Sequence, residues 1–165
     1  MTKPPIRLQE LRAQIGRRAK SAPEHRFWGM YVHVMKLETL ETAYRQARQN
    51  NGAPGVDGQT FERIEEEGVG GFLAKLAEEL REGTYRPLPY RRKEIAKEGG
   101  KVRLLSIPAV RDRVVQGALR LLLEPIFEAD FSDSSYGARP GRSAHEAMDR
   151  VRAGLMTGRH RVAVS

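Results

Sequence analysis

Two short runs, residues 91–97 and 101–107, are dense in lysine and arginine and are separated by Glu98-Gly99-Gly100. A glycine-containing break between two such runs marks a β-hairpin. If Lys97 pairs with Lys101 across the three-residue turn, strand alternation puts Lys93, Ile95, Lys97, Lys101, Arg103 and Leu105 on one face. Four of those six are cationic. Like charges set opposite one another destabilise a sheet in water. Such a face makes sense against a polyanion whose phosphates the cations neutralise. The alternative is an edge hairpin that uses lysine to block strand-to-strand aggregation.

A second cationic group is Arg139-Pro140-Gly141-Arg142-Ser143. It places two guanidiniums beside a helix start, where unpaired N–H groups and the helix dipole favour anions. The alternative is that these arginines pair with Asp130 or Asp133. Other chemistries find less support. The chain has no cysteine, which excludes disulfides, cysteine-ligated zinc and thiol catalysis. His25, His33, His145 and His160 are scattered without metal-ligand spacing, and His145 reads as a helix-surface or packing residue. Two-metal phosphoryl transfer needs two or more carboxylates. Glu65-Glu66-Glu67 and Glu78-Glu79 read instead as solvated helix faces, and no metal is assigned to them. Gly52, Gly55 and Gly58 lack the preceding strand and the following Lys-Ser/Thr of a phosphate loop. They read as a turn-rich connector, with Asp57 bonding local backbone.

Helices must carry these groups. Leu8, Leu11 and Ile15 form one stripe of a basic helix over 6–20. Pro23 is expected to open a longer helix to about Arg48, with Phe27, Met30, Tyr31, Val34, Leu37, Leu40, Tyr44 and Ala47 at three- and four-residue steps. Residues 50–58 are a loop. Thr60 caps a short helix to about Glu67, which Gly68, Gly70 and Gly71 interrupt. Leu73, Leu76, Ala77 and Leu80 mark another helix that Gly83 ends. Pro108 closes the second strand. A helix from Val110 buries Val114, Val115, Ala118, Leu121 and Leu122, and Pro125 should kink or restart it. Ser143-Ala144-His145-Glu146 has the form of a capping box. The helix it opens should bury Ala147, Met148, Val151 and Leu155. His160 to Ser165 reads as a strand.

The net charge of +8 is unevenly spread. Residues 1–26 carry +5, residues 86–113 carry +6 and residues 136–165 carry +4, with acidic stretches between them. Separate basic blocks are the footprint of a polyanionic partner. No run approaches the roughly 18 apolar residues that a membrane span needs. The start shows no secretory signal. A cytoplasmic protein fits these features, and no membrane partner is expected.

Several segments, in order, resemble group II intron reverse transcriptases and maturases. Asn51-Gly52-Ala53-Pro54-Gly55-Val56-Asp57-Gly58 is similar to the family's opening loop. Tyr85-Arg86-Pro87, Arg91-Arg92 and Ile95-Ala96-Lys97 resemble its first fingers strand, and Gly100 to Pro108 the second. Val110 to Gln116 and Leu123-Glu124-Pro125-Ile126-Phe127 resemble the following helix. Ser135 to His145 is the most specific segment. The family usually has an aromatic at Ala138, Pro or Lys at Leu104, and Pro at Ala96.

The resemblance implies an RNA-directed DNA polymerase that copies RNA with Mg²⁺ and deoxynucleoside triphosphates and binds its intron RNA. By motif position, Lys97, Arg103 and then Lys101 are expected to contact the dNTP triphosphate. Arg91, Arg92, Lys93, Arg111, Arg113, Arg139 and Arg142 are expected to face nucleic acid: template or intron RNA, or an RNA–DNA duplex. In the family, a strand like Arg161–Ser165 runs into the first metal-binding aspartate of the palm. The catalytic aspartates are not in this chain, so it should not polymerise alone and should hold no metal itself. It could act with a separate palm and thumb polypeptide.

The expected architecture is α/β, of the α+β kind. It comprises a helical N-terminal extension (1–49), a helical fingers region with a β-hairpin (50–155) and the first strand of an incomplete palm (156–165). The helices around Val114–Leu122 and Ala147–Leu155 should then show partly uncovered apolar stripes. Rival readings are a non-catalytic RNA-binding module and a decayed, truncated product.

Overall fold

The computed structural model describes residues 7–96 and 101–157. They form an α+β arrangement of seven helices and one two-stranded antiparallel sheet. In chain order these are α1 (Leu8–Ser21), α2 (Tyr31–Val34), α3 (Leu37–Gln49), α4 (Phe61–Glu67), α5 (Val69–Glu82), β1 (Arg91–Ala96), β2 (Val102–Ile107), α6 (Val110–Asp130) and α7 (Ala144–Met156). The expected strand at 160–165 lies outside the described residues, as does Lys97.

The core is built on α6. Val110, Val114, Ala118, Leu121 and Leu122 recur at helical spacing, and each is at most 2% exposed. They meet Leu8 and Ile15 of α1, Leu40 and Tyr44 of α3, Phe61 and Ile64 of α4, and Leu73, Leu76 and Leu80 of α5. The α6 stripe is therefore covered, against the expectation that it stands partly open. Gly117 allows α3 to come close, since a Cβ there would lie 3.2 Å from Ala43 Cβ.

Local signals fix several boundaries. The Thr60 hydroxyl accepts from Arg63 N at 3.2 Å and starts α4. Ser143 does the same for α7 through Glu146 N, also at 3.2 Å. Gly83 ends α5 in the left-handed conformation at φ 71°, which glycine adopts without steric cost. Two expectations fail. The helix from Pro23 is not continuous: Gly29 sits at φ 71°, and Lys36 is extended between α2 and α3. Gly70 and Gly71 lie inside α5 rather than interrupting it, because the buried row from Leu73 to Leu80 repays their poor helix propensity.

Of the two outcomes expected at Pro125, a kink or a restart, α6 shows no restart, since the helix runs through the proline. A proline has no N–H for the carbonyl four residues earlier, here that of Leu121. Arg12 of α1 fills the vacancy. Its Nε donates to Leu121 O at 2.9 Å, and its Nη2 meets Glu124 Oε2 at 2.6 Å. Gly16 of α1 lies beside Pro125. The N-terminal helix is thus part of the same core as α6. Changing Arg12 to Met should lower stability by about 2 kcal/mol, the range for a hydrogen-bonded charge. The melting temperature should fall by roughly 4–8 °C in thermal denaturation.

α7, unlike α6, does show the uncovered apolar stripe expected of it. Met148, Val151 and Leu155, the side chains meant for a core, are 47–70% exposed, and Met156 beside them is 77% exposed. Arg150 ties the helix to the preceding loop, donating to Asp133 O at 3.0 Å and to Tyr136 Oη at 3.3 Å. A patch of this kind should bind an apolar fluorescent dye. Met148→Lys with Leu155→Lys should abolish that binding without lowering the melting temperature, because neither side chain packs against the core.

Candidate nucleic-acid interface

The hairpin has the register that the sequence implies. Arg91 faces Ile107, Lys93 faces Leu105, Ile95 faces Arg103 and Ala96 faces Val102. Opposed residues in an antiparallel pair share a face. One face therefore carries Arg91, Lys93, Ile95, Arg103, Leu105 and Ile107. The other carries Arg92, Glu94, Ala96, Val102, Leu104 and Ser106. Lys101 is exposed just before β2.

The first face overhangs a cleft of about 650 Å³. Lys93, Ile95 and Leu105 form one side, and α3 and α6 form the other through Gln46, Asn50, Gln116 and Arg120. The 50–58 loop closes an end with Gly52 and Ala53. That loop is pinned, because a Cβ on Gly55 would collide with the Ala109 backbone. Gln59 N donates to Asp57 Oδ1 at 3.3 Å, the local role expected of that aspartate.

The structure sorts the cations into two groups. Arg111 and Arg113 on α6, and Arg139 and Arg142 in the 133–142 loop, are engaged within the fold. Arg111 Nη2 lies 2.5 Å from Glu79 Oε2, and its guanidinium covers the Tyr85 ring at 5.2 Å. Arg113 donates to the carbonyls of Pro108 (3.0 Å), Gly52 (2.9 Å) and Ala53. Arg139 has only 5% of its side chain exposed. It meets Glu128 at 2.5 Å and donates to the carbonyls of Ser132 and Ser135. The structural alternative for Arg139 therefore holds, with Glu128 rather than Asp130 or Asp133 as partner. Arg142 stands over the Tyr136 ring at 5.4 Å, with Asp133 at 3.9 Å.

The second group is on the hairpin. No carboxylate of the described residues forms an ion pair with Arg91, Arg92, Lys93, Lys101 or Arg103. Glutamates are nonetheless numerous elsewhere: Glu62 and Glu65 pair with Arg48, and Glu67 with Arg63. Those acidic runs are thus partly engaged on the helix surface. Among the described residues, no group of three or more His, Cys, Asp or Glu side chains is placed to hold a metal ion. No helix there is long and apolar enough to cross a membrane.

Titration tendencies follow the same geometry. Burial lowers the Arg113 pKa; nearby Arg91 adds to this and Asp57 opposes it. The hydrogen bond from Arg139 holds the Glu128 carboxyl below its ordinary range. Burial, and then the bond to Asp112, push the Tyr85 phenol far above its ordinary value. That last pair belongs to a network which residue spacing alone did not reveal. Buried Asp112 accepts from Tyr85 Oη at 2.6 Å and from Leu88 N at 3.0 Å. One signal was available: Asp112 stands three residues before Val115, on the buried side of α6.

No protein-family model matches the chain. Curated proteins do. Group II intron-encoded protein LtrA of Lactococcus lactis subsp. cremoris is 36% identical over 129 residues, covering 76% of this chain and 21% of LtrA. The chain is a homologue of the group II intron-encoded proteins. Protein YkfC of Escherichia coli is 39% identical over 150 residues, which is 90% of this chain and 39% of that relative. Nuclear intron maturase 1, mitochondrial, of Arabidopsis thaliana is 46% identical over 57 residues, or 33% of this chain and 8% of the maturase. The chain thus spans about two-fifths of YkfC and one-fifth of LtrA. In this group II intron-encoded protein homologue the hairpin carries five cations that have no ion-pair partner among the described residues.

Proposed function

We propose that this chain is the fingers region of an RNA-directed DNA polymerase of the group II intron type, and that its hairpin grips phosphates of RNA and of the incoming dNTP. The observation that carries this reading is the sorting of cations. Carboxylates engage Arg48, Arg111 and Arg139, while Arg91, Arg92, Lys93, Lys101 and Arg103 cluster on one hairpin without such partners among the described residues. Concentrated positive charge beside a cleft raises the local concentration of a polyanion and speeds its capture.

In this reading Arg103 and Lys101, with Lys97, serve the triphosphate. Arg91, Arg92 and Lys93 serve the RNA backbone, and Arg142 stands at the border of the site. Intron RNA is the expected RNA partner, and an RNA–DNA duplex would be held during copying. Mg²⁺ and the catalytic carboxylates would come with a palm.

A salt titration with a labelled single-stranded RNA oligonucleotide tests the proposal. Four phosphate contacts give a slope of roughly −3 in log affinity against log salt, so affinity should drop by about fiftyfold between 50 and 200 mM. Deoxynucleoside triphosphate should compete for part of the surface. Affinity that stays flat across this range would sink the reading.

A further inference from the structure

Three residues in the first turn of α6 point three different ways, and two of those directions lead to walls of the cleft. Arg111 reaches α5 through Glu79. Asp112 holds the chain three residues before β1, by accepting from Leu88 N at 3.0 Å and from Tyr85 Oη at 2.6 Å. Arg113 holds the residue directly after β2, through Pro108 O at 3.0 Å, and holds the 50–58 loop through Gly52 and Ala53. One helical turn therefore grips both roots of the hairpin and the loop opposite.

We infer that Asp112 and Arg113 are positioning residues: they set the width of the cleft by fixing the hairpin and the 50–58 loop to α6, and they do not touch the nucleic acid, although Arg113 lines the cleft. This rests on the reading of the hairpin as a phosphate-binding surface. Nε, Nη1 and Nη2 of Arg113 are all committed to carbonyl oxygens, in the fork geometry that only a guanidinium supplies. The loop has little slack, since a Cβ on Gly52 would lie 2.9 Å from Arg113 Nη1. Asp112 is 2% exposed and cannot reach a ligand in the cleft. A binding surface on a two-stranded hairpin needs such support, because binding strength depends on cations held at the spacing of the phosphates. Loss of the tie should let the two walls drift apart while every contacting cation stays in place.

Arg113→Lys keeps the charge and loses the fork. If Arg113 met phosphates directly, lysine would conserve much of the binding. If Arg113 positions the loop, amide hydrogen exchange should quicken at residues 51–53 and stay unchanged in α3. RNA affinity should fall roughly tenfold. The slope of log affinity against log salt should match the unaltered chain, because no phosphate contact is lost. Circular dichroism would show the fold intact. Tyr85→Phe, which removes a single oxygen, serves as a milder variant: exchange at the Leu88 amide should rise and RNA affinity should fall, again at constant slope. RNA affinity that stays within about threefold of the unaltered chain in Arg113→Lys would overturn the inference, because lysine conserves a direct phosphate contact. Unchanged exchange at residues 51–53 would overturn it as well. If the unaltered chain shows no salt-dependent RNA binding, the functional proposal fails, and the exchange measurements still judge the junction by themselves.

Discussion

Changing Lys93 and Arg103 together to glutamate is expected to weaken RNA binding on the order of a hundredfold at low salt. The two residues share the face that overhangs the cleft. Reversal removes two cations and sets two anions against the same phosphates. The salt slope should fall by about one, for the RNA phosphate contact of Lys93, and dNTP should compete less well once Arg103 is reversed. Neither residue pairs with a carboxylate among the described residues, so reversal breaks no ion pair there and the melting temperature should hold. Fluorescence anisotropy of a labelled RNA gives the readout. An affinity change of less than about threefold at 50 mM salt would place the binding surface elsewhere.

Asp112→Ala is expected to destabilise the fold by about 3–5 kcal/mol, the cost of leaving buried polar groups without their charged partner. Asp112 is almost fully buried and serves two donors, Tyr85 Oη and Leu88 N. Alanine would leave both without an acceptor and open a gap at the start of α6. A domain of this size is stable by only roughly 5–15 kcal/mol, so the loss is a large share. Asp112→Asn should cost less, because its amide oxygen can still accept from Leu88. Urea denaturation of both variants checks the order. An alanine variant as stable as the asparagine variant would mean that water satisfies these groups.

Much of the local architecture was legible from residue order. The stripe from Val114 to Leu122 identified α6, and its buried side is the one expected. Glu98-Gly99-Gly100 and the alternation around it gave the hairpin register, which the observed pairs from Arg91–Ile107 to Ala96–Val102 share. Thr60, Gly83 and Ser143 mark helix ends where they were expected. These features depend on sterics and hydrogen bonds between residues a few positions apart, so neighbouring side chains suffice to specify them. The cationic face of the hairpin follows in the same way, because strand alternation alone puts Lys93 and Arg103 together.

What only the tertiary structure decided is which breakers break and which cations are engaged. Pro125 stays within α6 because Arg12, 109 residues from Leu121, supplies the donor that proline lacks. Gly29 and Lys36 divide a stripe that reads as one helix. Arg111, Arg113 and Arg103 look alike in sequence, all cations near the hairpin. The partner of Arg111 is 32 residues away on α5, and Arg113 reaches a carbonyl 61 residues away. Arg103 has no such partner among the described residues. The sequence by itself determined the basic hairpin, the helices that carry it and the family resemblance. The fold determined the division between cations that hold the molecule together and cations left facing solvent. A guanidinium binds whichever acceptor lies within about 3 Å, and that acceptor is set by chain folding rather than by chain order.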